Sequence, residues 1–264
     1  MPEFSWPSLN LDIAGLGLKL ECNDDDVIDR AHDRFARFDQ AARIDLIARV
    51  QIDLDRDSAP VDRPAKFHNG CVYFTSIGFS GWLDPTNGQG LLTISNHQPV
   101  DDIEYFVRVA YALLAFQSGG LMLHATGIAR NDLGYHFFGP SGSGKSTTAR
   151  NSADDLILND DLIILMLENQ RWQAYATPFW NRPQLRPNTT TRVPLAGLYR
   201  LVQDRTVFTE SIDSALAAAE VIASVPIIAS DPDRSLMLLD RIDQILRAKI
   251  PVKRLHLLSD ASFW

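Results

Sequence analysis

This 264-residue sequence predicts an α/β fold, with a mixed sheet around one glycine-rich loop and a β-rich region in front of it. Three observations predict it. Residues 135–138 are a short apolar run of strand type that leads directly into Gly139-Pro140-Ser141-Gly142-Ser143-Gly144-Lys145-Ser146-Thr147, and residues 147–150 can continue as helix. Beyond that loop, short apolar segments of strand length are followed by two helical stretches. Ahead of it, the first hundred residues carry mostly strand-length segments separated by turn residues.

Taken in order, residues 9–20 are apolar-rich, loosened by Gly15 and Gly17. Residues 27–42 place Val27, Ile28, Ala31, Phe35, Phe38 and Ala42 at roughly helical spacing. Asp24-Asp25-Asp26 ahead of them reads as an acidic helix cap or solvated turn. From Leu46 the period changes to two, giving a strand over 46–54 that Asp57-Ser58-Ala59-Pro60 breaks. Residues 67–79 read as strand pieces around Asn69-Gly70, 84–88 as a turn, and 91–94 as a strand. A helix spans 101–116, capped by Asp101 or Asp102 and ended by Ser118-Gly119-Gly120. Strands follow at 121–125, 135–138, 156–158, 162–167, 171–176 and 198–201. Residues 212–223 form a helix, and a second starts at Asp231-Pro232 with Leu236, Leu239, Ile242 and Leu246 on its apolar face. A strand at 252–258 closes the chain. The organisation expected is a β-rich accessory region over 1–118 and a nucleotide-binding domain over 119–264.

Apolar residues make up 45% and charged residues 22%, ordinary for a globular protein. The net charge of −8 argues against a nucleic-acid partner bound across the surface. The longest mostly apolar stretch, 215–229, holds Glu220, Ser224 and Pro226 and is too short to span a bilayer, so no membrane association is expected. Cys22 and Cys71 lie far apart and form no metal spacing, which reads as reduced thiols. With no signal-peptide pattern at the start, the expected location is the cytoplasm.

The loop fits G-x-x-x-x-G-K-[ST] without a mismatch: Gly139, four residues, Gly144, Lys145, Ser146. Such glycines let backbone N–H groups turn inward around phosphates. Gly139, Ser141, Gly142, Ser143, Gly144, Lys145, Ser146 and Thr147 are therefore the expected nucleotide-binding residues. Lys145 would reach the β- and γ-phosphates, and Ser146 would offer its hydroxyl to Mg2+. Asp160 and Asp161 sit between two apolar strand segments, about 15 residues beyond Lys145. One could hold Mg2+ and the other take a proton from an attacking hydroxyl. Arg182 or Arg186, in a Pro- and aromatic-rich segment over 177–187, could stabilise transferred charge, with Arg182 the first candidate.

The order Leu123-His124, strand, turn, strand, Gly139 to Ser146, helix, strand, Asn159-Asp160-Asp161 resembles the catalytic domain of the HPr serine kinase/phosphorylase family, and more particularly its shorter relatives. The same branch includes phosphoenolpyruvate carboxykinases. The resemblance covers residues 121–167 well and the rest loosely. It implies the mixed phosphate-loop sheet of that type, ATP and Mg2+ as cofactors, and transfer of the γ-phosphoryl group to a serine hydroxyl of a protein, peptide or small molecule. On that model one of Asp160 and Asp161 is the general base, the other a metal ligand, and His124 a polar neighbour beside them. The family often assembles into hexamers, so a homo-oligomer is one expectation. The family's Glu-[Ile/Val]-Arg-Gly-Leu-Gly segment is absent; residues 176–183 stand in its place, which takes support from HPr itself as substrate and from reverse phosphorolysis. That absence also favours an alternative, an ATP-binding regulatory or sensor protein that transfers nothing, whereas the intact Lys145, Ser146, Asp160 and Asp161 favour the kinase.

Overall fold

The computed structural model describes residues 5–55, 62–152, 154–180, 188–258 and 264. The chain divides into two units, Met1–Leu114 and Ala115–Trp264, each built on its own mixed sheet.

In the first unit, β1 (Ser8–Ile13) and β2 (Leu16–Cys22) are a hairpin turning on Ala14 and Gly15, which have φ of 60° and 73°. Asp12 Oδ1 accepts from Gly15 N at 2.9 Å and pins that turn. Helix α1 (Asp25–Phe35) is capped by Asp24, whose side chain accepts from Val27 N at 3.0 Å. The helix stops at Phe35 rather than running to residue 42. The following backbone pairs with β1 instead: Asp12 N donates to Phe38 O at 2.7 Å and Gln40 N to Asn10 O at 2.7 Å. Phe38 stays buried, but in a bend after the helix and not on the helical face its spacing predicts.

Strand β3 (Leu46–Ile52) is parallel to β2, with α1 as the crossover. Strands β4 (Arg63–His68), β5 (Cys71–Ser76), β6 (Phe79–Asp84) and β7 (Gln89–Ile94) form an antiparallel meander, and β7 closes parallel onto β3. The spatial order is β1-β2-β3-β7-β6-β5-β4. Strand β6 is absent from the sequence reading because Ser80 and Gly81 give it no apolar alternation. A Cβ on Gly81 would lie 2.6 Å from Leu91 O, so the close pairing requires glycine. Helix α2 (Pro99–Gln117) starts before Asp101, because Pro99 lacks the N–H that a first helical residue leaves unused.

In the second unit, β8 (Leu121–Arg130) turns through Asn131 and Asp132, with φ of 52° and 60°, into β9 (Leu133–Phe138). The short helix α3 (Lys145–Asn151) leads to β10 (Leu156–Asn159), β11 (Leu162–Glu168), β12 (Arg171–Tyr175) and the long β13 (Arg192–Gln203). Strand β14 (Phe208–Ser211), helices α4 (Ser214–Ile222) and α5 (Ser235–Arg247), and β15 (Val252–Leu257) complete it. The sheet order is β10-β8-β11-β12-β13-β15-β14, with β9 pairing both β8 and β13. Strand β13 pairs parallel with β9 on one side and with β15 on the other. Ile128 of β8 packs with Phe137, Leu201, Leu255 and Leu257 of these strands into a core.

Asp231 caps a 3-10 turn over Pro232–Arg234, and α5 begins only after it. That tighter turn shifts the helical phase. The buried residues are Leu238, Ile242 and Ile245, whereas Leu236 is 79% and Leu239 50% exposed. No described helix is long and apolar enough to cross a membrane.

Candidate functional site: a glycine-rich loop beside two carboxylates

The loop leaves β9 at Phe138 and enters α3 at Lys145. Gly142 and Gly144 have φ of 80° and 107°, where a side chain would be strained. Gly139 is required sterically, since a Cβ there would sit 2.7 Å from Ser143 Oγ. Lys145 Nζ folds back and donates to Gly139 O at 2.7 Å and Pro140 O at 3.3 Å. From the end of β13, Gln203 Nε2 donates to Gly142 O at 2.8 Å and ties down the loop's crest. Burial lowers the pKa of the Lys145 ammonium; Asp161 opposes that shift, and Arg200 adds to it.

Strands β10 and β11 run antiparallel along β8. Asn159 lies opposite Gly127, and Leu162 opposite His124, in nearly continuous register. Asp160 and Asp161 form the bend between the two strands. Ala125 N donates to Asp161 O at 3.0 Å, and Thr126 Oγ1 to Asp160 O at 3.4 Å. Ala125 is also the register partner of Phe138. The acidic bend and the start of the loop therefore flank one residue of β8, about 9–10 Å apart at two strand spacings.

Asn159 fixes the bend. Its Oδ1 accepts from Asp161 N at 2.7 Å and Leu162 N at 3.0 Å. Its Nδ2 donates to Thr177 O at 2.9 Å and Phe179 O at 2.7 Å. Thr177 Oγ1 in turn donates to Leu162 O at 2.5 Å. All four hydrogen-bonding valences of the Asn159 amide are used in a site it shares with the buried Asp160 and Asp161. His124 projects from β8 with half of its side chain exposed, Nε2 lying 3.2 Å from Asp161 Oδ1.

The fold thus brings together Gly139, Ser141, Gly142, Ser143, Gly144, Lys145, Ser146 and Thr147 on the loop and first helical turn, with His124, Asp160 and Asp161 across β8. Arg182 and Arg186 lie outside the described residues. The sequence assigns no role to Asn159, quoted only alongside the two aspartates, to Thr177 at the head of the 177–187 segment, or to Arg200 and Gln203. An asparagine abutting two aspartates at a strand end was a usable signal for the first. Arg200 and Gln203 reach the loop only because β13 lies parallel beside β9, which no local pattern encodes.

Among the described residues, no group of three or more His, Cys, Asp or Glu side chains is arranged to hold a metal ion. Mg2+ in triphosphate sites needs only one or two carboxylates together with the phosphates. Two adjacent aspartates and the Ser146 hydroxyl are hard oxygen donors of that kind.

No protein-family model and no curated protein sequence matches the chain. Among solved structures it is similar to the Hpr(Ser) kinase/phosphatase from Coxiella burnetii, at 14% identity and a TM-score of 0.29. That match covers 52% of this chain and 84% of the other.

Proposed function

We propose that this chain is an ATP-dependent kinase that transfers the γ-phosphoryl group to a serine hydroxyl of a peptide, protein or small molecule. The observation that carries the reading is the placement of a complete G-x-x-x-x-G-K-S loop and a buried aspartate pair on either side of one residue of β8. The serine acceptor comes from the family resemblance of the sequence.

In this reading Lys145 exchanges its bonds to Gly139 O and Pro140 O for β- and γ-phosphate oxygens. Inward-facing N–H groups of the loop hold the remaining oxygens. Ser146 and one of Asp160 and Asp161 hold Mg2+, which when bound neutralises triphosphate charge. The other aspartate accepts the proton of the acceptor hydroxyl as its oxygen bonds to the γ-phosphorus and the bond to the β,γ-bridging oxygen breaks. His124 orients Asp161 across their 3.2 Å contact, and Asn159 keeps both carboxylates at the bend.

The test is incubation with Mg2+ and γ-labelled ATP, offering serine-bearing peptides, proteins and small molecules, with Lys145→Ala, Asp160→Asn and Asp161→Asn in parallel. Label should move to a serine and be lost in all three variants. The two aspartate variants should still bind ATP. Tight ATP binding with label transferred to no acceptor would instead select the sensor reading that the missing Glu-[Ile/Val]-Arg-Gly-Leu-Gly segment favours.

A further inference from the structure

Arg200 lies in the middle of β13, in register with Phe138, the last strand residue before the loop. Its Nη1 would stand 3.1 Å from a Cβ built on Gly139, so the guanidinium lies against the loop's first residue. On its other side, Arg200 is register partner to Arg254 of β15. Two like charges directly opposite on neighbouring strands oppose sheet formation, so packing alone gives no reason for the pair.

One carboxylate from α4 manages both. Glu220 Oε2 accepts from Arg200 Nε at 2.8 Å, and Glu220 Oε1 from Arg254 Nη2 at 2.9 Å. Arg254 has a second carboxylate, Glu210 Oε2, at 3.5 Å. Arg200 shares Glu220 and meets no other carboxylate among the described residues. Its Nη1 donates to Leu201 O, while its Nη2 meets no acceptor among the described residues. Glu220 and Leu201 thus fix the direction of the guanidinium without neutralising it fully. The positive charge that is left acts on Lys145, whose ammonium pKa Arg200 lowers further.

We infer that Arg200 is a phosphate-binding residue of this site, holding the terminal phosphate of the nucleoside triphosphate beside Lys145. The inference rests on the loop being a triphosphate site. A planar guanidinium held at two of its nitrogens keeps a donor edge for phosphate oxygens. Glu220 is then a positioning residue that aims it.

The experiment measures equilibrium binding of Mg2+-ATP and Mg2+-ADP to the full chain, for the wild type and for Lys145→Ala, Arg200→Gln, Arg200→Lys and Arg254→Gln. Circular dichroism checks the fold of each. Arg200→Gln should weaken ATP by about tenfold or more while moving ADP by no more than about threefold, the size of effect expected for a lost hydrogen bond to a charged group. Arg200→Lys, which keeps the charge, should fall between that variant and the wild type, and it carries the test if the glutamine variant unfolds. Arg254→Gln removes the neighbouring charge but leaves the Arg200–Glu220 ion pair in place, and should leave the ATP-to-ADP ratio unchanged. Equal weakening of ATP and ADP in the Arg200 variants, an unchanged ratio, or the same ratio change in Arg254→Gln would overturn the role of Arg200. If the wild type binds no ATP, or Lys145→Ala binds it undiminished, the triphosphate loop itself is refuted and the inference falls with it.

Discussion

His136 gives the sharpest stability prediction. It lies on β9 with its side chain fully buried, and neither ring nitrogen has a hydrogen-bond partner among the described residues. Two glycines make room for the ring: a Cβ on Gly127 would be 2.9 Å from its Cε1, and one on Gly134 3.3 Å from its Nε2. Burial pushes its pKa from 6.5 down to about 3. The proton therefore binds the unfolded chain more tightly than the folded one. Stability from neutral His136 is full above pH 6.5 and is lost progressively as pH falls toward about 3. At about pH 5 the protonated unfolded chain is favoured by 1.5 pH units, or about 2 kcal/mol at 1.36 kcal/mol per unit. The perturbation is His136→Leu, which removes the titration and keeps an apolar side chain in the slot. Urea unfolding, followed by circular dichroism from about pH 7.5 to pH 5, should show the variant losing about 2 kcal/mol less than the wild type. Curves that fall in parallel would refute the argument, because His136 would then be protonated, or solvated, in the folded protein.

Other substitutions test the remaining scaffold. Asn159→Ala removes four hydrogen bonds around the acidic bend and should cost about 3 kcal/mol in urea unfolding. It should also abolish phosphoryl transfer in the labelled-ATP assay, while a retained rate would show that the bend is held by other contacts. Tyr111→Phe removes a hydroxyl within reach of Leu11 O at 2.9 Å and Leu16 O at 3.1 Å, and should destabilise the first unit by about 1 kcal/mol by the same measurement. Burial raises the Asp102 carboxyl to about 6, against an ordinary 3.8, so its ionisation costs stability as pH rises through that window. Asp102→Asn should accordingly raise the melting temperature above about pH 6 and have little effect below about pH 4. Equal effects at both ends would contradict this.

The loop was legible in the sequence because everything that defines it is local: the strand-type run before it, the spaced glycines, Lys145 and Ser146. The acidic bend was legible for the same reason, as two charges between apolar runs. What joins them is not local. Strand β8 receives β9 through a local hairpin, but β11 along its first half and β10 along its second come from about thirty to forty residues further along the sequence. The sequence predicts only a third of β13 as strand, since Pro194 and Gly197 interrupt the apolar pattern ahead of Leu198, yet its far end supplies Gln203 to the loop. The phase error in α5 came from a three-residue 3-10 turn, which a single helical period cannot represent.

The backward fold of Lys145 has a kinetic side. Its ammonium has three protons, and two donate to Gly139 O and Pro140 O. If the loop takes a triphosphate as proposed, the third proton is open to it before either internal bond breaks, and the handover would proceed one bond at a time without leaving the cation bare. Occupancy of the loop by its own lysine would then set a fixed penalty on affinity without imposing a slow opening step on association. Stopped-flow association rates that rise linearly with ATP concentration would agree with that exchange. A plateau would mean that the loop must first let go of Lys145.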